Sequence, residues 1–151
     1  MNKERTLVLI KPDGLFRKLT GLVIDRLDAA GLELAAAKMV TVSESLAREH
    51  YEALKDKPFF PDLIRYIRGE FHGLKDHRVL AMVYRGENAI RRVRDVAGAT
   101  NPEDAAPGTL RGSFGRITTK GHFENVIHAS SDPADAEREV KLWFRPEEIL
   151  P

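Results

Sequence analysis

Thr6-Leu7-Val8-Leu9-Ile10 runs directly into Lys11-Pro12-Asp13-Gly14. Five nearly unbroken apolar positions are the pattern of a short central strand buried on both faces, where no side looks to water. Proline and glycine then break the ladder. Working outward from this strand, Thr20 is placed to cap a helix over 21–30 that turns Leu22, Val23, Leu27 and Ala30 inward and closes at Gly31. A second strand is expected from Glu33 to Val42. Ser43 then precedes a helix whose Leu46, His50, Ala53 and Leu54 share a face, ended by Lys57-Pro58.

A short helix follows over 60–68 with Leu63, Ile64 and Ile67 inward, then a strand from Val79 to Tyr84 and a helix from Asn88 to Val96. From Gly98 to Gly121 glycine, proline, threonine and arginine dominate without periodicity, which reads as a long loop. Val126-Ile127 belongs to a last short strand, and Asp132-Pro133 opens a final helix as N-cap and first-turn proline. The order is β-α-β-(α-α)-β-α-loop-β-α. It suits a small α/β or α+β sandwich with helices over a four-stranded sheet.

A chain of 151 residues fits a single domain over 1–151. The formal net charge of +1 argues against nucleic acid or an anionic membrane as the main partner. With no cysteine, disulfides, thiolate catalysis and cysteine-bound metal are excluded. Met1-Asn2-Lys3-Glu4-Arg5 leads straight into the first strand without a signal-type apolar stretch, and no segment is long enough to span a bilayer. The expectation is a soluble cytoplasmic protein.

A loop of about 24 residues is unusual in so small a domain and points to function. With its approaches it gathers Arg91, Arg92, Arg94, Thr100, Asn101, Arg111, Ser113, Arg116, Thr118, Thr119 and Lys120. Arginines, hydroxyls and glycines are what a polyphosphate requires, although a solvated surface loop explains the same composition. There is no G-x-x-x-x-G-K-[ST] and no dinucleotide-type glycine turn, so any phosphate would be held by side-chain cations.

His128 stands at a strand end, with small residues behind it and a helix start just beyond. At 100° per residue, Ala136, Val140, Trp143 and Phe144 form the apolar arc of that helix. Glu137, Arg138 and Lys141 face away, and Glu139 falls inside the apolar margin. A carboxylate there needs a partner. His128 is a candidate, since a carboxylate on one ring nitrogen frees the other to attack. The residues alone leave open the alternative in which Glu139 reaches water and His128 merely ends a strand. His50 reads as a hydrogen-bonded structural residue, His72 and His77 flank a turn, and His122 lies in the loop. No histidine pair has zinc-site spacing, which argues against a protein-bound metal. Tyr51, Phe59, Phe60 and Tyr66 are core aromatics or, for one of them, a surface for a base.

Asn125-Val126-Ile127-His128-Ala129-Ser130 resembles the active-site signature of nucleoside diphosphate kinases. Leu9-Ile10-Lys11-Pro12-Asp13-Gly14 is similar to the opening motif of that family, and His50-Tyr51 with Leu54-Lys55-Asp56-Lys57-Pro58-Phe59-Phe60 to its nucleotide-binding pair of helices. Thr100-Asn101-Pro102 and Pro107-Gly108-Thr109-Leu110-Arg111-Gly112 resemble its phosphate-binding loop, and Leu142-Trp143-Phe144-Arg145-Pro146-Glu147-Glu148 its closing segment.

The resemblance implies an α+β, ferredoxin-like sandwich with a four-stranded antiparallel sheet covered by helices. It implies ping-pong transfer of the γ-phosphoryl group of a nucleoside triphosphate, typically ATP, to a nucleoside diphosphate through phosphohistidine at His128. Glu139 would orient the imidazole, and Lys11 and Tyr51 would meet the transferred group. Arg94, Thr100 and Arg111 would bind the other phosphates, Asn125 the sugar, Phe59 the base, and Ser130 would support the histidine. Mg²⁺ would arrive on the nucleotide phosphates, and the chain would form a homo-oligomer, a hexamer or a tetramer.

Two departures stand out: Ser131 where the family usually has aspartate, and a longer stretch through Thr118-Thr119-Lys120-Gly121-His122. The rival readings are a catalytically retired nucleotide-binding or regulatory module on the same fold, and a histidine phosphocarrier. The first is opposed by the presence of both the nucleophile and its orienting carboxylate. The second needs neither a base-stacking aromatic nor a cluster of arginines.

Overall fold

The computed structural model describes residues 3–151, so Met1 and Asn2, the head of the segment read above for a leader, lie outside the described residues. The opening apolar run is the inner part of β1 (Lys3–Ile10), and Leu7, Val8, Leu9 and Ile10 are all fully buried. It is followed by α1 (Pro12–Phe16), α2 (Thr20–Ala29), β2 (Glu33–Thr41), α3 (Glu44–His50), α4 (Phe60–Ile67), β3 (Arg78–Glu87) and α5 (Ala89–Ala97). Beyond these come α6 (Leu110–Phe114), β4 (Arg116–Ile117), β5 (Phe123–Glu124), β6 (Ile127–Ala129) and α7 (Pro133–Trp143).

The main sheet has the order β2-β3-β1-β6, with every neighbouring pair antiparallel. β1 and β2 both run against β3, and β3 and β6 both run against β1, so each of these two connections is a crossover that skips one strand. This is the α+β, ferredoxin-like sandwich. Alternation along β1 divides the core. Leu7 and Leu9 pack with Ala47, Ile64, Ile67, Val140 and Trp143 beneath α3, α4 and α7. Val8 and Ile10 pack with Val23, Leu27, Val93 and Ala97 beneath α2 and α5. An unbroken apolar run in the sequence is the consequence of helices on both sides.

Several local expectations are corrected. Pro12–Phe16, read as a simple break, forms the short helix α1. Proline suits its first position, and Gly14 lets it lie close: a Cβ there would stand 2.9 Å from Ile10 Cγ2 and 3.0 Å from the Val126 carbonyl. Thr20 is the first residue of α2 and not its cap; Leu19 takes that position without a side-chain bond. The helix after Ser43 stops at His50, because Tyr51 leaves helical geometry at φ −98 and ψ 21. The chain then tightens to a 3₁₀ turn over Glu52–Leu54, which leaves Ala53 exposed.

The stretch Gly98–Gly121 is not wholly irregular. It holds α6, capped by Thr109 Oγ1 accepting from the Gly112 amide at 3.0 Å, and the first arm of the β4–β5 hairpin. Among the described residues no helix is long and apolar enough to cross a membrane.

Candidate active site

The site is built where β6 ends and α7 begins. Two residues before His128 the backbone is strained: Val126, a β-branched residue with no exposed surface, sits at φ 71. Such a conformation costs about 1–3 kcal/mol and persists only where its surroundings enforce it. Here the Val126 amide donates to buried Asp13 Oδ2 at 2.9 Å, and its carbonyl accepts from the Lys11 amide at 3.0 Å. Past this kink β6 pairs with β1, setting His128 opposite Leu9.

α7 then returns beneath the sheet, started by Asp132 Oδ1 accepting from the Asp135 amide at 2.8 Å. It brings Glu139, only 4 % exposed, within 2.8 Å of His128 Nε2. The Ser130 hydroxyl donates to the same Oε1 at 2.7 Å and accepts from the Leu7 amide at 3.2 Å. Burial alone would raise the Glu139 pKa, but the bonds from His128 and Ser130 and the charge of Arg138 outweigh it and hold the carboxyl ionised below its ordinary value. An ionised carboxylate only accepts, so Nε2 of His128 carries the proton and Nδ1 keeps its lone pair.

A second bonded set faces this one. Lys11 Nζ donates to Asn125 Oδ1 at 2.8 Å, and Asn125 Nδ2 donates to the Thr100 carbonyl at 2.9 Å. Burial, and to a lesser degree the charge of Arg111, lowers the Lys11 pKa to about 8 despite nearby Asp13. Arg111 is buried and donates to the carbonyls of Asn125 (3.3 Å), Gly98 (3.0 Å) and Ile127 (2.8 Å). Each terminal nitrogen thus keeps one N–H. Burial and the neighbouring charge of Arg94 lower its pKa to about 10. The Arg94 guanidinium, half-buried on α5, forms no ion pair or hydrogen bond with the described residues. Tyr51 lies at the end of α3, its hydroxyl pushed up in pKa by burial and by Glu139.

His128, Glu139, Ser130, Lys11, Asn125, Arg111 and Tyr51 are therefore gathered at one place. Phe59, 49 % exposed at the head of α4, and the exposed Thr100 side chain stand outside the bonded sets. Ser131, the departure from the usual aspartate, turns its hydroxyl to Asp135 on the first turn of α7. The longer stretch 118–122 closes the β4–β5 hairpin, where Thr118 and His122 are joined by two hydrogen bonds.

Sequence reasoning missed Asp13, which fixes the kink, and the placement of His50 against the His128 ring, with centroids 4.4 Å apart. Two histidines flanking one carboxylate form the only group of possible metal ligands found among the described residues, with donor atoms within 4.8 Å of one another. His50 does not offer them a lone pair. Its Nδ1 accepts from Trp143 Nε1 at 3.1 Å, so the neutral ring carries its proton on Nε2. Glu139 is likewise committed.

The family model for nucleoside diphosphate kinase matches residues 4–149. The chain is 50 % identical over 141 residues to a nucleoside diphosphate kinase of Symbiobacterium thermophilum, covering 93 % of this chain and 87 % of the relative. Its fold is similar to a solved transition-state mimic of the Borrelia burgdorferi enzyme with bound vanadate and ADP. There the TM-score is 0.87 at 38 % identity, covering 99 % of this chain and 91 % of the other. It is equally similar to the Halobacterium salinarum nucleoside diphosphate kinase in complex with CDP, with a TM-score of 0.86 at 41 % identity, covering 99 % and 93 %.

Proposed function

The chain belongs to the nucleoside diphosphate kinase family and has its phosphotransfer activity, and from that premise we propose how its own residues carry the reaction. Residues 1–151 act as one catalytic domain. His128 Nδ1 attacks the γ-phosphorus of a nucleoside triphosphate. The N–P bond forms as the bond to the bridging oxygen breaks, and the diphosphate leaves with that electron pair. An acceptor diphosphate then reverses the step. The observation that carries this reading is the 2.8 Å contact between Glu139 and His128 Nε2, which leaves Nδ1 as the nucleophile.

Phosphoryl transfer otherwise demands positioning and charge neutralisation. Lys11 and Tyr51 meet the transferred group, Arg94, Thr100 and the spare N–H groups of Arg111 take the remaining phosphates, Asn125 the sugar, and Phe59 the base. Stacking on an exposed ring asks little of base identity. Support for nucleotide in this groove comes from the relatives solved with ADP and with CDP.

Mg²⁺ fits as a passenger of the nucleotide, because Glu139, the carboxylate against His128, is already bonded through Oε1 to His128 and Ser130. When bound it supplies neutralisation of phosphate charge. We further infer a cytoplasmic homo-oligomer, hexameric or tetrameric. Met39, 54 % exposed, and Leu34, 38 % exposed, on the edge strand β2 are apolar surface suited to a second copy.

The test is label transfer from γ-labelled ATP to GDP under initial-rate conditions. Parallel double-reciprocal lines and loss of turnover in His128→Ala, with ADP binding retained, are expected. Intersecting lines, or turnover surviving in His128→Ala, contradict the reading.

A further inference from the structure

The Glu139 bond decides which face of the His128 ring carries the proton, but it does not fix the tilt of the ring. A hydrogen bond weakens steeply only once its angle falls below about 120°, so one bond at Nε2 tolerates a wide swing of the ring plane. In-line attack does not, since misplacement by about 1 Å can cost 100-fold in rate. Something else must hold the plane.

His50 is the group in position to do so. Its ring meets that of His128 at 78° with centroids 4.4 Å apart, a close edge-to-face contact. It is itself held on several sides. Trp143 Nε1 donates to its Nδ1 at 3.1 Å, and the Trp143 and Tyr51 rings meet it at 86° and 74°. Its backbone carbonyl accepts from Arg138 at 3.2 Å, and that of Glu49 from the same guanidinium at 3.1 Å. Trp143 and Arg138 both lie on α7, the helix that carries Glu139. One helix therefore grips the nucleophile twice, directly through a carboxylate and indirectly through a clamped second imidazole.

A ring in this place must also remain uncharged, or it would repel the positive groups around it. Burial first, then the electrostatic influence of the neighbouring His128 and the charges of Arg138 and Lys11, push the His50 pKa well below its ordinary value. Its Nε2 is buried without a partner among the described residues. A structural core histidine would be expected to satisfy both nitrogens. His50 instead leaves Nε2 unpaired while its ring lies against that of His128.

We propose that His50, clamped by the Trp143 indole and the Arg138 guanidinium, is a positioning residue that fixes the plane of the His128 ring for attack. The inference rests on the phosphohistidine reading and adds a residue to it. Arg138 links Glu139 and His50 in the same way, approaching Glu139 Oε2 at 3.8 Å while holding the His50 backbone.

The test combines single-turnover phosphorylation of His128 by ATP, ADP affinity, and ¹⁵N shifts of the His128 ring in the full-length protein. In His50→Ala the phosphorylation rate should fall roughly 10- to 100-fold with ADP affinity unchanged. The His128 nitrogens should move from one fixed tautomer toward averaged shifts. His50→Gln, which keeps an acceptor for the indole, should recover most of the rate.

A folded His50→Ala protein that phosphorylates at the parent rate overturns the proposal, as does one that is slow with unchanged ¹⁵N shifts. Should His50→Ala not fold, Trp143→Phe carries the test. It removes the N–H that holds His50 and should give the same signature in smaller degree, whereas parent-like rate and shifts overturn the proposal. Failure of the parent protein itself to take up label would instead sink the kinase reading, before any variant is compared.

Discussion

The two walls of the groove are built on opposite rules. On the β6–α7 side, Glu139, Ser130 and the Leu7 amide are already paired around His128 Nε2. On the α5 and loop side charge is left over: the Arg94 guanidinium has no partner among the described residues, Arg111 keeps two N–H groups, and burial presses the Lys11 pKa down to about 8. A nucleophile has to be aimed before substrate arrives, so its wall is complete without ligand. Phosphate binders stabilise best when their charges lack internal partners, so their wall is completed by the nucleotide.

The comparison predicts that variants on the first wall alter chemistry and variants on the second alter affinity. The largest effect should follow Glu139→Gln, which removes the charge that fixes the His128 tautomer. Single-turnover phosphorylation should slow by at least roughly 100-fold with ADP affinity intact. Weakened ADP binding in that variant would break the division.

Arg94→Ala should do the reverse. Losing a charge-assisted bond to phosphate costs about 1.5–3 kcal/mol, or roughly 10- to 100-fold in ADP affinity by calorimetry. His128 should still be phosphorylated at near-normal rate once ATP saturates.

Lys11 sharpens the second wall through pH. Its folded pKa is depressed, so the free enzyme loses this charge as pH rises through about 8 and not near 10.5, and affinity for a non-hydrolysable ATP analogue, which carries the γ-phosphoryl group that Lys11 meets, should fall across the same range. Lys11→Arg should abolish that midpoint, because a guanidinium stays charged. Stability runs the other way. Between about 8 and 10.5 the unfolded chain binds the proton that the folded chain has released, so the Lys11 contribution to folding becomes more favourable as pH rises.

The smallest effect belongs to Ser131→Asp, which introduces the aspartate that the family resemblance leads one to expect. Ser131 is exposed and its hydroxyl is turned to Asp135, so thermal stability should change by no more than about 0.5 kcal/mol.

Much of this was legible beforehand, for reasons particular to each element. The run Thr6–Ile10 declares helices on both faces because no alternation is needed when neither face meets water. Glu139 was visible on a helical wheel because a long helix keeps its phase for a full 11 residues. α1 and α6, five residues each, and the two-residue arms of the β4–β5 hairpin are too short for any period to register. The end of α3 depends on a single dihedral turn at Tyr51, and the kink at Val126 is imposed by Asp13 from 113 positions away. His50 reads as structural in the sequence because its contact is with β6, which no local pattern encodes.

The most direct measurement is a pulse and chase on the purified chain: γ-labelled ATP with Mg²⁺, rapid removal of free nucleotide, then unlabelled GDP. About one label per chain is expected, in an acid-labile, base-stable form that passes wholly to GTP, with no label in His128→Ala. Folded protein that binds ADP yet takes up no label, or holds it in an acid-stable bond, would contradict transfer through His128 and favour a retired active site.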